Sequence, residues 1–317
     1  MKSNLWRLDK PSEKTIQAYR DKFLDPLKES IKKSDLDSNV KLRLLEGDKL
    51  EQLLTGEADS LLGLNDEIMK EIGLSNTEEE RKKIENAFNY SNLLSNNKDN
   101  SYWLAKIIQR NTCVYCNRHY IFTVVAPKLV KGKKKIYVTR PEFDHWYPKS
   151  KYPLLSMSLF NLIPSCHICN RLKGVKDVGK KKDQDQYQYI HPYIHKDKEP
   201  DITFRVSLTA GPDPEWTIKL DCGENDKEKA MMDVFKLNEI YAFHGNLEVK
   251  DIMKFNEAYT EGYIKTLFTK VLEDSHGIMT RHEVYRFFFG TEMEPDKFLD
   301  RPLSKMKYDI LKYLRFL

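Results

Sequence analysis

Four of the chain's five cysteines fall in two short pairs, Cys113/Cys116 in C-V-Y-C-N-R and Cys166/Cys169 in S-C-H-I-C-N-R-L-K-G. The fold must bring these pairs together if their spacing has a purpose. Two C-x-x-C knuckles offer four soft ligands, the set a tetrahedral zinc takes. Four cysteines close the coordination shell, so the expected role is structural: a zinc clamp between the turn before residues 142–149 and a helix starting near Cys166. His119, three residues after Cys116, and His167, inside the second pair, are rival ligands. Two disulfides or four buried thiols form the competing reading. The opening M-K-S-N-L-W-R-L-D-K lacks the apolar stretch of a secretory leader, so a reducing cytoplasm, where disulfides are rare, is the expected location.

Between the knuckles stand Asp144-His145 in E-F-D-H-W-Y-P-K-S and Asn161 in F-N-L-I-P-S-C, and just after the last cysteine stands Asn170 in C-N-R-L-K-G. In order, spacing and flanking residues they resemble the HNH nucleases of the ββα-metal class, in the zinc-supported form. The resemblance covers about sixty residues of the chain. It implies an α+β fold: a small zinc-clamped ββα core inside a mainly helical protein. It also implies that the first strand carries the His, the linking loop the middle Asn, and the helix the last member, here Asn170.

The chemistry of phosphodiester hydrolysis suits these residue types. It requires a deprotonated water, a cation on the scissile phosphate and neutralisation of the departing 3′ oxygen. His145 reads as the general base, because imidazole is the side chain whose ordinary pKa lies nearest neutrality. Asp144 and the Asn170 carbonyl read as ligands of one divalent ion, and as hard oxygen donors they suit magnesium or manganese. Neighbours in a strand face opposite ways, so Asp144 and His145 share a site only if the strand ends or bends there. Asn161 is expected to pin the loop to backbone groups and orient the His block. Glu142 shares a strand face with Asp144 and is either a second carboxylate or a solvated residue.

Taken in order, the chain suggests three segments. Residues 1–100 read as a helical extension: an amphipathic run from Pro11 to about Lys33, a second helix over Val40–Leu54, a third over Ser60–Ile72, and a fourth from a capping box at Ser75–Glu78 to about Leu94. Residues 101–192 hold the nuclease-like domain. They start with a short helix over Tyr102–Arg110 and a hairpin, I-F-T-V-V with K-I-Y-V-T, whose tip carries Lys131, Lys133, Lys134 and Lys135. These lysines, with Lys149, Arg171 and Lys173 around the motif, are candidate phosphate contacts on DNA. Residues 193–317 read as two strands, I-T-F-R-V and W-T-I-K-L, followed by helices. There the run F-K-L-N-E-I-Y, 235–241, resembles a sequence following the motif in HNH subunits of bacterial antiphage systems of the Septu type. That resemblance implies an operon-encoded ATPase partner and a role in antiviral defence.

No apolar run approaches a membrane span, no repeat occurs, and no complete Walker-type G-x-x-x-x-G-K-[ST] is present, since G-V-K-D-V-G-K at 174–180 is followed by Lys181, so the chain should not hydrolyse nucleotides itself. A net charge of +5 is too small to argue for nucleic acid without its placement. The expectation is therefore a metal-dependent endonuclease cutting DNA, double-stranded for preference. A single site cuts one strand, so double-strand cleavage would need a dimer or two events. The alternative is a nonenzymatic zinc module that binds nucleic acid and recruits a partner.

Overall fold

The computed structural model describes residues 5–127, 135–179, 181–183, 186–194, 202–259 and 261–316. Contacts gather the chain into two units, Arg7–Arg110 with Ile121–Lys196, and Met1–Trp6 with Asn111–Tyr120 and Asp197–Leu317. The architecture is mixed, mainly helical with small antiparallel sheets. No helix among the described residues is long and apolar enough to cross a membrane.

In the first unit, α1 (Glu13–Lys33) starts where the Ser12 hydroxyl accepts the Thr15 amide at 3.2 Å, and it buries Tyr19, Phe23, Leu27 and Ile31 at helical spacing. The single helix expected over 40–54 is two, α2 (Ser38–Leu45) and α3 (Lys49–Thr55). Gly47 breaks them with a φ of +62°, a conformation glycine adopts without Cβ strain. After α4 (Leu61–Glu71), the capping box that opens α5 (Glu78–Phe88) pairs Thr77 with Glu80, two residues later than the sequence suggested. The helix expected to about Leu94 is interrupted where Asn89 turns left-handed at the end of α5, and resumes as a π-helical turn over Ser91–Ser95. The run 95–100 is partly helical: Asn97 caps α6 (Lys98–Ile108).

The rest of this unit is β-hairpins and one short helix. Strand β1 (Val124–Ala126) pairs with β2 (Ile136–Thr139), and β3 (Glu142–His145) with β4 (Leu162–Ser165), both antiparallel. Helix α7 (His167–Lys173) follows β4 directly; β5 (Lys181–Asp183) and β6 (Gln186–Tyr187) close the unit. Helices α1 and α3 pack on each other, α5 packs on the turn 153–155, and the Tyr19 hydroxyl donates to the Met157 carbonyl at 2.8 Å. The helical layer thus supports the loop between β3 and β4.

The second unit is built on the hairpin of β7 (Thr203–Leu208) and β8 (Trp216–Asp221). Its helices are α8 (Asp226–Val234), α9 (Leu237–Ala242), α10 (Lys250–Ala258), α11 (Glu261–Asp274), α12 (Arg281–Phe289) and α13 (Ser304–Tyr313). Helix α13 lies against β7 and α9 against β8. The first cysteine knuckle sits in this unit on a bed of aromatic and polar contacts. Tyr115 stacks on Phe235 at 4.1 Å, the Tyr241 hydroxyl donates to the Cys116 carbonyl at 2.5 Å, and the Trp6 indole donates to the Tyr115 carbonyl at 2.8 Å.

Candidate metal centre and active-site cleft

Cys166 is both a knuckle residue and the N-cap of α7: its sulfur accepts the Cys169 amide, which folds the C-x-x-C into the first helical turn. The Cys113-x-x-Cys116 turn is fixed differently. Asn117, left-handed at φ +47° and fully buried, donates its amide to Thr112 Oγ1 and to the Phe298 and Arg301 carbonyls at 2.8–3.0 Å. The Cys113, Cys116, Cys166 and Cys169 sulfurs all lie within 4.8 Å of one another, every one of these cysteines is buried, and none is in a disulfide. Four converging buried thiols are a metal-binding set. Their softness and number suit a tetrahedral zinc whose shell is complete without water. The rival His167 is 71 % exposed and bonded to Glu142 instead, and neither it nor His119 joins the cluster.

The second feature is a cleft of about 570 Å³ in the first unit, lined by Glu142, Asp144, His145 and Asn170 together with Tyr90, Arg140 and Lys149. The hairpin that positions them pairs Asp144 with Ile163 and His145 with Leu162. Strand β3 ends at His145; the Trp146 amide still donates across the hairpin to the Asn161 carbonyl at 2.9 Å, and the chain bends at Trp146 and Tyr147, where the Asn161 side chain takes over the pairing. Consecutive residues of this strand end line one cleft. The Asn161 side chain is completely buried and spent on backbone: its oxygen accepts the Tyr147 amide at 2.6 Å, and its NH2 donates to the Tyr147 and Leu155 carbonyls at 3.1 and 2.8 Å.

His145 Nε2 lies 3.0 Å from the Ser156 carbonyl. A carbonyl only accepts, so Nε2 carries the hydrogen and Nδ1 the lone pair. The ring sits edge-on to Tyr90, with centroids 4.5 Å apart. Burial lowers its pKa to about 3; the bond to Ser156 opposes this, and the positive charges of Lys173 and Lys149 add to it. The imidazole is neutral at physiological pH.

Asp144 is buried and its Oδ1 accepts from Lys173 Nζ at 3.1 Å; the same ammonium donates to the His145 carbonyl at 2.5 Å. Lys173, expected at the surface on phosphate, is therefore inside, with no side-chain exposure. Its position on the last turn of α7 points it back under β3, where Asp144 supplies the counter-charge. Glu142 uses both oxygens, one on His167 Nδ1 at 2.9 Å and one on the Asn170 NH2 at 2.7 Å. With its donor end held there, the Asn170 amide turns its carbonyl oxygen away from Glu142.

Of the other basic candidates, Arg171 is exposed, Lys149 lines the cleft while ion-paired to Glu85, and Lys135 lines a separate cavity. Lys131, Lys133 and Lys134 lie outside the described residues. Arg140, unremarked in the sequence, also lines the cleft, donating to the Pro141 and Ser95 carbonyls.

No described protein family matches the chain, and no solved structure matches it significantly. Protein ea31 of Escherichia phage lambda is 29 % identical to it over 162 residues, which make up 48 % of this chain and 50 % of that protein. The chain thus spans about half the length of this relative.

Proposed function

We propose that the chain is a metal-dependent endonuclease of the HNH type, with a structural zinc on Cys113, Cys116, Cys166 and Cys169, that hydrolyses phosphodiester bonds in DNA. The observation that carries the reading is the neutral His145, whose Nε2–H is tied to the Ser156 carbonyl, lining one cleft with Asp144 and Asn170. The tie leaves Nδ1 as the base that takes a proton from water. Asp144 and Asn170 carry the hard oxygens that would hold magnesium or manganese, which supplies Lewis-acid stabilisation of the phosphate and leaving oxygen when bound. Arg140 and Lys149 at the rim attract the phosphodiester. Asn161 fixes the turn that aims His145. The products are a 5′ phosphate and a 3′ hydroxyl. Antiviral defence with an ATPase partner belongs to this reading through the 235–241 run alone.

The test is plasmid cleavage with magnesium or manganese by the wild type and His145→Ala, with zinc content and DNA affinity measured on both. Cleavage by the wild type only, at equal zinc and equal binding, supports the assignment. Equal cutting by both removes His145 as the base. If both bind DNA and neither cuts, with or without a candidate ATPase, the nonenzymatic zinc module is the better reading.

A further inference from the structure

A second cavity, about 550 Å³, lies in the same unit between α6 and the β1–β2 hairpin, and the endonuclease reading does not use it. Tyr102, Trp103 and Tyr137 line it, with Lys106 and Lys135 beside them. Tyr102 and Tyr137 meet at a tilt of 50° with ring centroids 4.6 Å apart, and Lys22 Nζ sits 5.0 Å from the Trp103 centroid. The one carboxylate in the lining, Asp99, accepts the Tyr137 hydroxyl, so it holds a ring in place. Cations therefore outnumber the acid around an aromatic cavity, which disfavours a cationic or purely aliphatic guest.

Arg140 links the linings of the two cavities. Arg140 lines the cleft at His145, and its guanidinium carbon lies 5.8 Å from the ring centre of Phe143, which lines that cleft, and 5.9 Å from that of Tyr102, which lines the second cavity. A strand with one phosphate in the cleft would pass its next nucleotides over Arg140 toward the aromatic group. Aromatic faces flanked by lysines are how proteins hold unstacked bases, because every base has a π-face and every linkage a negative charge.

We propose that this second cavity binds an unstacked nucleobase of the DNA strand whose phosphate occupies the cleft. The site would make single-stranded, frayed or flipped DNA the preferred form beside the cut, at little cost in sequence preference. The choice of DNA rests on the endonuclease reading, but binding is measured apart from cleavage.

The experiment uses the full chain carrying His145→Ala. Fluorescence anisotropy would compare a labelled thymidine strand of about 12 nucleotides, an abasic strand of equal length and charge, and the matching duplex. The expected result is roughly 5- to 150-fold tighter binding of the thymidine strand than of the abasic one, the range set by about 1–3 kcal/mol per stacked base. Trp103→Leu and Tyr137→Ala should bring that ratio close to one and leave abasic binding unchanged, whereas Lys106→Glu should weaken both strands alike. Tyr137 is on a two-stranded hairpin, so its variant reports even if Trp103→Leu disturbs the packing on Phe23. Equal affinity for thymidine and abasic strands, equal affinity for strand and duplex, or a ratio kept in both aromatic variants would overturn the proposal. The expected ratio and its loss in the aromatic variants, found together with a wild type that never cuts DNA, would instead count against the endonuclease reading and leave the base site standing.

Discussion

Replacing Lys173 by Met should destabilise the first unit far more than removing any exposed charge near the cleft. The Lys173 side chain has no exposure and that of Asp144 has 3 %, so the substitution keeps the shape and strands a carboxylate in the interior. Breaking a buried pair from one side typically costs about 3–5 kcal/mol, because the remaining charge keeps its desolvation penalty and loses its attraction. The same ammonium also supports the His145 carbonyl at 2.5 Å, which pushes the cost to the upper part of that range. The half-exposed pair of Lys149 with Glu85 sets the contrast, since screened pairs contribute about 0–1 kcal/mol. Urea unfolding followed by tryptophan fluorescence, on protein loaded with zinc throughout, would measure Lys173→Met, Asp144→Asn and the double variant. The double should recover most of the loss, as an amide beside a methionine carries no stranded charge. A loss below about 1 kcal/mol in Lys173→Met, or a double variant no better than that single, would refute the argument that charge burial dominates here.

Three further outcomes follow from the same geometry. Cys113→Ser should release one metal equivalent per chain and lower the thermal transition, read by elemental analysis and calorimetry; metal-free wild type with an unchanged transition in the variant would refute the metal centre. Because burial lowers the folded pKa of His145 to about 3 from the ordinary 6.5, the unfolded chain binds the proton more readily, so stability falls as pH drops from 6.5 toward 3 and is flat above. The ceiling on that loss is about 5 kcal/mol, and His145→Gln should remove this component from the difference between two pH-stability curves. Asn161→Ala should strand the Tyr147 amide and the Tyr147 and Leu155 carbonyls, costing about 3 kcal/mol or more; a loss under about 1 kcal/mol in chemical denaturation would show that water takes over those bonds.

Local grammar carried the helices and hairpins whose signals are self-contained. The Tyr19, Phe23, Leu27, Ile31 stripe marks α1, and two alternating runs mark β7 and β8, because burial of one face writes its period into the sequence. Ends were less legible. The same apolar period runs through α2 and α3, and only the left-handed Gly47 separates them; α5 stops at Asn89 although Leu93 and Leu94 prolong the pattern. Helix α12 carries a weak signal, because its aromatic-rich R-F-F-F run has no clean polar face and only the Thr280–Glu283 capping box announces it.

At the cleft, residue type announced Asp144, His145, Asn161 and Asn170, but a pattern could not say which charges neutralise one another. Lys173 read as a surface cation because α7 carries Arg171 and Lys173 on its last turn, where cations favour the helix dipole. What reverses that reading is the antiparallel pairing of β3 with β4, which lays Asp144 beneath the end of α7; a contact between residues 29 apart is set by topology, not by local sequence. Glu142 was visible as the residue two before Asp144 on the same strand face, yet its use as the clamp on the Asn170 NH2 again requires α7 to fold back on β3. The F-K-L-N-E-I-Y run has a structural explanation of the same kind. Phe235 stacks under Tyr115 and Tyr241 bonds the Cys116 carbonyl, so two of its seven residues build the bed of the first knuckle, while Asn238 accepts the Leu220 amide of β8. A run with that duty would accompany this form of knuckle with or without an ATPase, and so the partner must be tested by binding rather than read from those seven residues.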